Sequence, residues 1–241
     1  MGREPRVQLP GAFYHVMSRG TLKQKIFIRN EDRLDFLGKL AEVISKYEWC
    51  CYAYCLMDNH YHLLIETPRT NLSEGMHKLL NYYCKRFNWR HGGVGHVIQG
   101  RFISPIVERE EHLMEIIRYT ALNPVKGGLV SEPGQWRWSS YRAICGLAPA
   151  PWFLDVNFTL GIFGNDTEMA RKEYIRFVAE GLLIDQANRI PLPDLFLGIR
   201  DKYQRNNAMR FAYFEQGYTM TKIAAYLKLS LSAVSRAINK E

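Results

Sequence analysis

Two histidines separated by one residue open an aliphatic run in the middle of the chain, His60-Tyr61-His62-Leu63-Leu64-Ile65. Asp58-Asn59 before them is typical of a tight turn, so the run is expected to be a strand entered from that turn. Alternate side chains of a strand share a face, which points His60 and His62 the same way and Tyr61 into the opposite, core face. Two imidazoles on one face supply half of a metal site. A pair of surface histidines on a half-exposed strand is an equally good interpretation of the pair alone.

A second pair, Tyr119 and Asn123, lies four residues apart in a segment with a helical pattern, which places both side chains on one helical face. The carbonyl oxygen of Asn123 is the kind of ligand that magnesium or manganese prefers. A cation there would favour the phenolate form of Tyr119, which is a nucleophile. The commoner interpretations are a helix-end asparagine before proline and a buried tyrosine with a hydrogen-bonded hydroxyl.

The segments that must position these residues alternate between strand and helix patterns. Strands are predicted at residues 13–20, 49–57, 60–66 and 96–107, of which the second and third form a hairpin. Helices are predicted from a cap at Asn30, from Asn71 or Ser73, and over residues 110–122, where Pro124 ends the last one. This βαββαβ order predicts an α+β fold, a ferredoxin-like (RRM-like) antiparallel sheet with helices on its faces.

The rest of the chain is predicted to form a covering arm and a small all-α unit. Residues 131–180 are expected to lie over the first domain, which then spans residues 1–180. Residues 195–241 have the outline of a helix-turn-helix, with helices at 219–227 and 231–240. Ser232, Ser235 and Arg236 are expected to face outwards on its second helix and to contact DNA. A plain three-helix mini-bundle is the alternative.

Composition narrows the class of protein. The 241 residues are 47% hydrophobic and 23% charged, as in an ordinary globular protein, and the net charge of +8 favours a polyanionic partner. Five cysteines without a framework spacing are expected to be reduced thiols. Neither an apolar leader nor a long apolar run is evident, so a cytoplasmic, nucleoid-associated protein without membrane contact is expected.

Several motifs then occur together in a fixed order, and they carry a resemblance to one family. They are PGAFYHVMSRG at residues 10–20, CLMDNHYHLL at 55–64, QGRF at 99–102, Arg118-Tyr119, NPV at 123–125 and WSSY at 138–141. With them the chain resembles the REP-associated tyrosine transposases, members of the HUH single-tyrosine superfamily. Thr21 departs from the pattern, because the family often has asparagine after Arg-Gly.

The resemblance implies a mechanism and a substrate. Tyr119 would attack a phosphate of single-stranded DNA beside a hairpin and form a covalent 5′-phosphotyrosine. His60, His62 and Asn123 would hold Mg²⁺ or Mn²⁺. Such relatives act as monomers or as homodimers.

Basic, aromatic and amide side chains near these motifs are expected to bind the DNA. They are Tyr14, Arg19, Arg86, Gln99, Arg101 and Phe102. Two other classes of protein remain as alternatives, a non-catalytic repressor that uses the C-terminal helix-turn-helix and a protein whose histidines hold a structural metal.

Overall fold

The computed structural model describes residues 8–107, 110–187, 190–199, 201–214 and 218–239. The strands are β1 (Ala12–Arg19), β2 (Cys50–Leu56), β3 (His60–Thr67) and β4 (Ile106–Val107). The helices are α1 (Asn30–Tyr47), α2 (Leu72–His91), α3 (Glu110–Lys126), α4 (Tyr141–Ile144), α5 (Val156–Gly161), α6 (Thr167–Ala187), α7 (Leu192–Leu195), α8 (Lys202–Phe214), α9 (Met220–Leu227) and α10 (Leu231–Asn239).

The four strands form one antiparallel sheet in the order β2-β3-β1-β4. This order and the βαββαβ succession confirm the predicted ferredoxin-like α+β fold. The last strand is much shorter than the predicted extended segment 96–107. Outside β4, that segment lies along β1 and Gly20 through single bridges from Ile98 to Gly20 and from Ile103 to Met17, and through single hydrogen bonds such as that from His15 N–H to the Pro105 carbonyl.

The two faces of the sheet pack against different helices, because side chains alternate along each strand. Tyr14 and Tyr61 lie in the core beneath α1 and α2, where the ring of Tyr61 contacts Phe36 at 4.9 Å between centroids. Leu64, on the opposite face, packs in a second core that includes Ile117 of α3. The predicted inward direction of Tyr61 is confirmed, and the histidines of β3 therefore face α3.

Helix α3 continues through Pro124 to Lys126, so the predicted end at residue 122 was wrong. Proline removes one backbone donor and restricts the residue before it, which is why a helix end was expected. The chain keeps its helical course because Gly127 N–H donates to the Asn123 carbonyl at 2.8 Å and Leu129 N–H donates to the Pro124 carbonyl at 2.9 Å. Asn123 is thus held within a formed helical turn.

The outer edge of β2 is covered by residues that follow α3. Leu56 N–H donates to the Trp138 carbonyl, Ser140 N–H to the Tyr54 carbonyl and Asp155 N–H to the Cys51 carbonyl, each at 2.9 Å. These bonds satisfy a sheet edge that would otherwise be open to pairing with another chain.

Near the C-terminus, α8, α9 and α10 share a separate small core that includes Met209, Ile223 and Val234. Thr219 caps α9, its hydroxyl accepting from Lys222 N–H at 3.2 Å, and Ser230 caps α10 in the same way for Ala233 N–H. The helices predicted at 219–227 and 231–240 are therefore present, with residue 240 outside the described part of the chain. Among the residues described, no helix has the length and apolar content needed to span a membrane.

Asp32 joins the start of α1 to the end of α2. Its fully buried carboxylate accepts the backbone N–H groups of Ile28 and Arg29 at 2.9 and 2.8 Å. It also accepts from Arg90 at 2.6 Å and lies 3.0 Å from His91 Nε2. The predicted cap at Asn30 was wrong, because the charged Asp32 carboxylate closes this helix end instead. Burial raises the pKa of Asp32, but the hydrogen bonds outweigh burial and the pKa is lowered overall.

We expect Asp32→Asn to lower the free energy of unfolding by about 2 kcal/mol, because it removes a buried charge that accepts hydrogen bonds from Arg90 and from two backbone N–H groups, while Arg90 keeps its ion pair with Asp35. Urea unfolding at pH 7 measures this. The depressed carboxyl pKa stabilises the fold above the ordinary carboxyl range, so the difference from wild type should shrink as the pH falls below that range. Glu42→Gln, which removes an exposed ion pair with Lys39, is the control and should cost less than about 1 kcal/mol. Equal losses in the two variants would contradict this account.

Candidate active site

His60 and His62 of β3 meet Asn123 and Tyr119 of α3 in the space between the sheet and that helix. His60 Nε2 lies 3.0 Å from Asn123 Oδ1, and His60 Nδ1 lies 2.7 Å from Asn59 Oδ1. The ring of His62 is 5.1 Å from that of Tyr119 between centroids, and the two rings are nearly perpendicular. Four residues distributed over more than sixty positions of sequence thus form one cluster.

Burial differs between the donor atoms and the phenol. His62 and Asn123 are 4% and 6% exposed, whereas Tyr119 is 40% exposed. His62 and Asn123 are therefore shielded from bulk water and His60 is half-buried, while the tyrosine can be reached by a large substrate. This arrangement suits a nucleophile that acts on a macromolecule at the rim of a polar centre.

A third histidine, His15 of β1, belongs to the same cluster. Its Nε2 lies 3.0 Å from His62 Nδ1, and its ring meets that of Tyr119 edge-on at 5.9 Å between centroids. The sequence analysis placed His15 in a strand without a role. The pairing register of β1 with β3 was the missing information, because it decides which β1 residues lie beside His62.

Lys126 is a further residue that the sequence analysis missed. Its ammonium lies 5.5 Å from the centre of the Tyr119 ring. The two residues are seven positions apart, which is two helical turns, but the helix had been expected to end before Lys126. The ammonium therefore adds positive charge where an anionic phosphate would approach Tyr119.

The imidazoles of the cluster are held in their neutral form. Burial, followed by the charge of His112, lowers the pKa of His15 to about 4. Burial also lowers the pKa of His60, and it holds the pKa of His62 well below its ordinary value together with repulsion from His60 and His15. At neutral pH each ring therefore keeps a lone pair for a hydrogen bond or a cation.

The donor atoms fit a divalent cation. His62 Nε2 is buried and has no hydrogen-bond partner in the described part of the chain. The 3.0 Å between His60 Nε2 and Asn123 Oδ1 is close to the separation of neighbouring ligands on an octahedral ion with bonds of about 2.1 Å. Within the described part of the chain, no group of three or more His, Cys, Asp or Glu residues is arranged to hold a metal ion. The candidate donor set therefore combines two imidazoles with the amide oxygen of Asn123.

Two aromatic residues expected to stack on DNA bases lie in the core instead. Tyr14 is fully buried under α1 and α2, where its hydroxyl donates to the Leu9 carbonyl at 3.1 Å. Phe102 is 8% exposed and packs in the same core. Those two predictions were wrong, because β1 and the loop before β4 turn these rings away from solvent.

The other residues expected to bind DNA lie at three places. Arg19 donates from Nε to Gln99 Oε1 at 2.8 Å, in an exposed pair beside the cluster, since Arg19 is opposite His60 in the sheet. Arg101 is exposed in the neighbouring loop. Arg86 stands on α2, on the other face of the sheet, where it pairs with Asp35 at 3.2 Å and lies over the Trp89 ring.

The third place is α10. Ser232 and Arg236 are exposed there, and Ser235 is half-buried. Arg236 Nε donates to the Ser232 carbonyl at 3.3 Å, one turn earlier on the same helix. The expected role of these residues remains a prediction.

Comparison with known proteins agrees with this geometry. Residues 9–120 match the model of the family described as IS200-like transposase. A protein of Haemophilus influenzae that carries the name REP-associated tyrosine transposase is 25% identical over 122 residues, which cover 45% of this chain and 68% of that protein. A solved structure of a REP-associated tyrosine transposase bound to a REP hairpin has the same fold, with a TM-score of 0.52 and 18% identity, over 65% of this chain and 93% of that one.

Residues 9–120 thus resemble the IS200-like transposases. Within that class the chain resembles the REP-associated tyrosine transposases.

We expect Asn123→Ala to weaken Mn²⁺ binding at least about 10-fold, because it removes the only oxygen donor of the proposed set. Isothermal titration calorimetry of the purified protein measures this. Asn81→Ala, which changes an exposed asparagine on α2, is the matched control and should bind as wild type does. Unchanged Mn²⁺ affinity in Asn123→Ala would remove Asn123 from the ligand set.

Proposed function

We propose that this chain cleaves and rejoins single-stranded DNA beside a hairpin through a covalent 5′-phosphotyrosine on Tyr119. The observation that carries the proposal is the accessible phenol of Tyr119 at the rim of a cluster formed by half-buried His60 with buried His62 and Asn123. The family match supports transposase chemistry, and the relative of similar fold is bound to a REP hairpin.

The chemical step is an exchange of phosphodiester bonds. The Tyr119 oxygen attacks the scissile phosphorus and loses its proton, the bond from phosphorus to the 3′ oxygen breaks, and the 3′ oxygen leaves as a hydroxyl after taking a proton. The 5′ phosphate remains on Tyr119. Attack by another 3′-hydroxyl reverses the step and joins two strands, and no ATP is required because each bond broken is replaced by one of similar energy.

His60, His62 and Asn123 are the residues that would hold Mg²⁺ or Mn²⁺. When bound, such an ion supplies a Lewis acid that polarises the scissile phosphate. The Lys126 ammonium beside the Tyr119 ring adds a second positive charge near the phosphate. The half-exposed position of Tyr119 lets a DNA strand approach from solvent.

Substrate recognition is divided in this proposal between two domains. Residues 1–180 carry the chemistry, and Arg19, Gln99 and Arg101 contact the strand near the cut. Residues 195–241 act as a helix-turn-helix whose Ser232, Ser235 and Arg236 contact the DNA, and Arg86 on α2 contributes phosphate binding farther away. The enzyme acts in the cytoplasm on chromosomal DNA, as a monomer or a homodimer.

Tyr119→Phe should abolish the covalent adduct, because it removes the attacking oxygen and leaves the ring in place. The assay incubates a hairpin oligonucleotide carrying a single-stranded flank with protein and Mn²⁺, and it detects complexes that survive denaturing electrophoresis. Tyr82→Phe is the matched control, since Tyr82 is also 40% exposed, and it should form adduct as wild type does.

An adduct that persists in Tyr119→Phe would refute the nucleophile assignment. Hairpin binding by the wild type without any adduct would instead favour the non-catalytic repressor.

Arg236→Ala should weaken hairpin DNA binding several-fold through the loss of one phosphate contact, and the effect should fade at high salt. Adduct formation at saturating DNA should persist. Arg176→Ala changes an exposed arginine of α6 and serves as the control. Fluorescence anisotropy with a labelled hairpin measures both variants, and identical affinities would show that α10 does not contact this DNA.

A further inference from the structure

We infer that His15 is the positioning residue that fixes the tautomer of His62, by accepting the proton of His62 Nδ1 so that the Nε2 lone pair of His62 faces the cation site. This inference rests on the proposed function of His60, His62 and Asn123 as cation ligands. The contact that supports it is the 3.0 Å separation between His15 Nε2 and His62 Nδ1.

Only one of these two facing nitrogens can carry the shared proton when both rings are neutral. If His15 were the donor, the remaining proton of His62 would lie on Nε2. That atom is buried and has no partner among the residues that the structure describes, so the N–H would be unsatisfied there and would repel a cation. If His62 is the donor, Nε2 instead carries a lone pair that a cation satisfies. Ligand histidines in proteins commonly donate their second N–H to a neighbouring acceptor in this way.

The backbone holds His15 in place for this contact. His15 N–H donates to the Pro105 carbonyl at 3.1 Å on one side, and on the other side His15 is opposite Leu64 in the β1–β3 ladder. Its ring is 8% exposed. Because both neighbouring segments fix β1, the imidazole of His15 has little freedom to leave His62.

The same contact distinguishes the role of His15 from that of the candidate ligands. His15 presents Nε2 to His62 rather than to Asn123, whereas His60 Nε2 lies against Asn123 Oδ1. The rings of His60 and His62 are 5.0 Å apart between centroids, and His15 lies on the Nδ1 side of His62. His15 therefore contacts the candidate ligand His62, and it would affect the cation site through that residue.

The first test measures directly which ring nitrogen of His62 carries the proton in the wild-type protein. Long-range ¹H–¹⁵N correlation spectra of the metal-free protein with labelled histidines should show His62 protonated on Nδ1. In His15→Phe, which keeps a ring of similar size without an acceptor, His62 should become a mixture of tautomers. A wild-type His62 protonated on Nε2 would overturn the inference.

The second test is Mn²⁺ affinity by calorimetry. His15→Phe should lower the affinity about 10-fold, and His15→Gln should restore most of it, because the glutamine Oε1 accepts a hydrogen bond. Val16→Ala is the matched control, since Val16 is buried on the opposite face of β1. It should lose stability without losing Mn²⁺ affinity. Equal losses in His15→Phe and His15→Gln would show that His15 acts by packing alone, which would also overturn the inference.

The Mn²⁺ binding data also distinguish a failure of the proposed function from a failure of the role inferred for His15. A wild-type protein that binds no Mn²⁺, or one whose affinity His60→Ala leaves unchanged, would overturn the cation site and this inference together. Normal binding that depends on His60 but not on His15 would overturn the role of His15 alone.

Discussion

The antiparallel pairing of β1 with β3 is the constraint on which the candidate site depends. In this register Arg19 is opposite His60 and Met17 is opposite His62, which brings His15 diagonally beside His62 on the same face. A shift of one residue would turn every side chain of one strand to the other face. The site is therefore fixed by the same register that buries Tyr14 and Tyr61 under α1 and α2.

Helix α3 supplies the other half of the site, and its continuity through Pro124 determines what it presents. Asn123 and Tyr119 lie one turn apart and face the histidines, and Lys126 follows on the next turn. Had the chain left the helix at residue 122, neither Asn123 nor Lys126 would have a defined direction. Rigid elements on both sides thus hold the polar atoms without help from flexible loops.

The sequence was sufficient for the parts of this arrangement that depend on local patterns. The alternation around His60-Tyr61-His62 predicted the direction of each side chain, and the spacing of Tyr119 and Asn123 predicted a shared helical face. Features that depend on contacts between residues distant in the chain could not be predicted from the sequence. His15 required the strand register, Lys126 required the helix to pass a proline, and the burial of Tyr14 and Phe102 required knowledge of which surface each segment covers.

The most direct test of the central claim is to locate the covalent bond within the protein. The wild-type adduct would be digested with nuclease and protease, and the phosphorylated peptide would be sequenced by mass spectrometry. The chain contains 14 tyrosines, so the result discriminates between many candidates. The account expects the nucleotide-derived phosphate on Tyr119 alone. A phosphate on any other residue would contradict it.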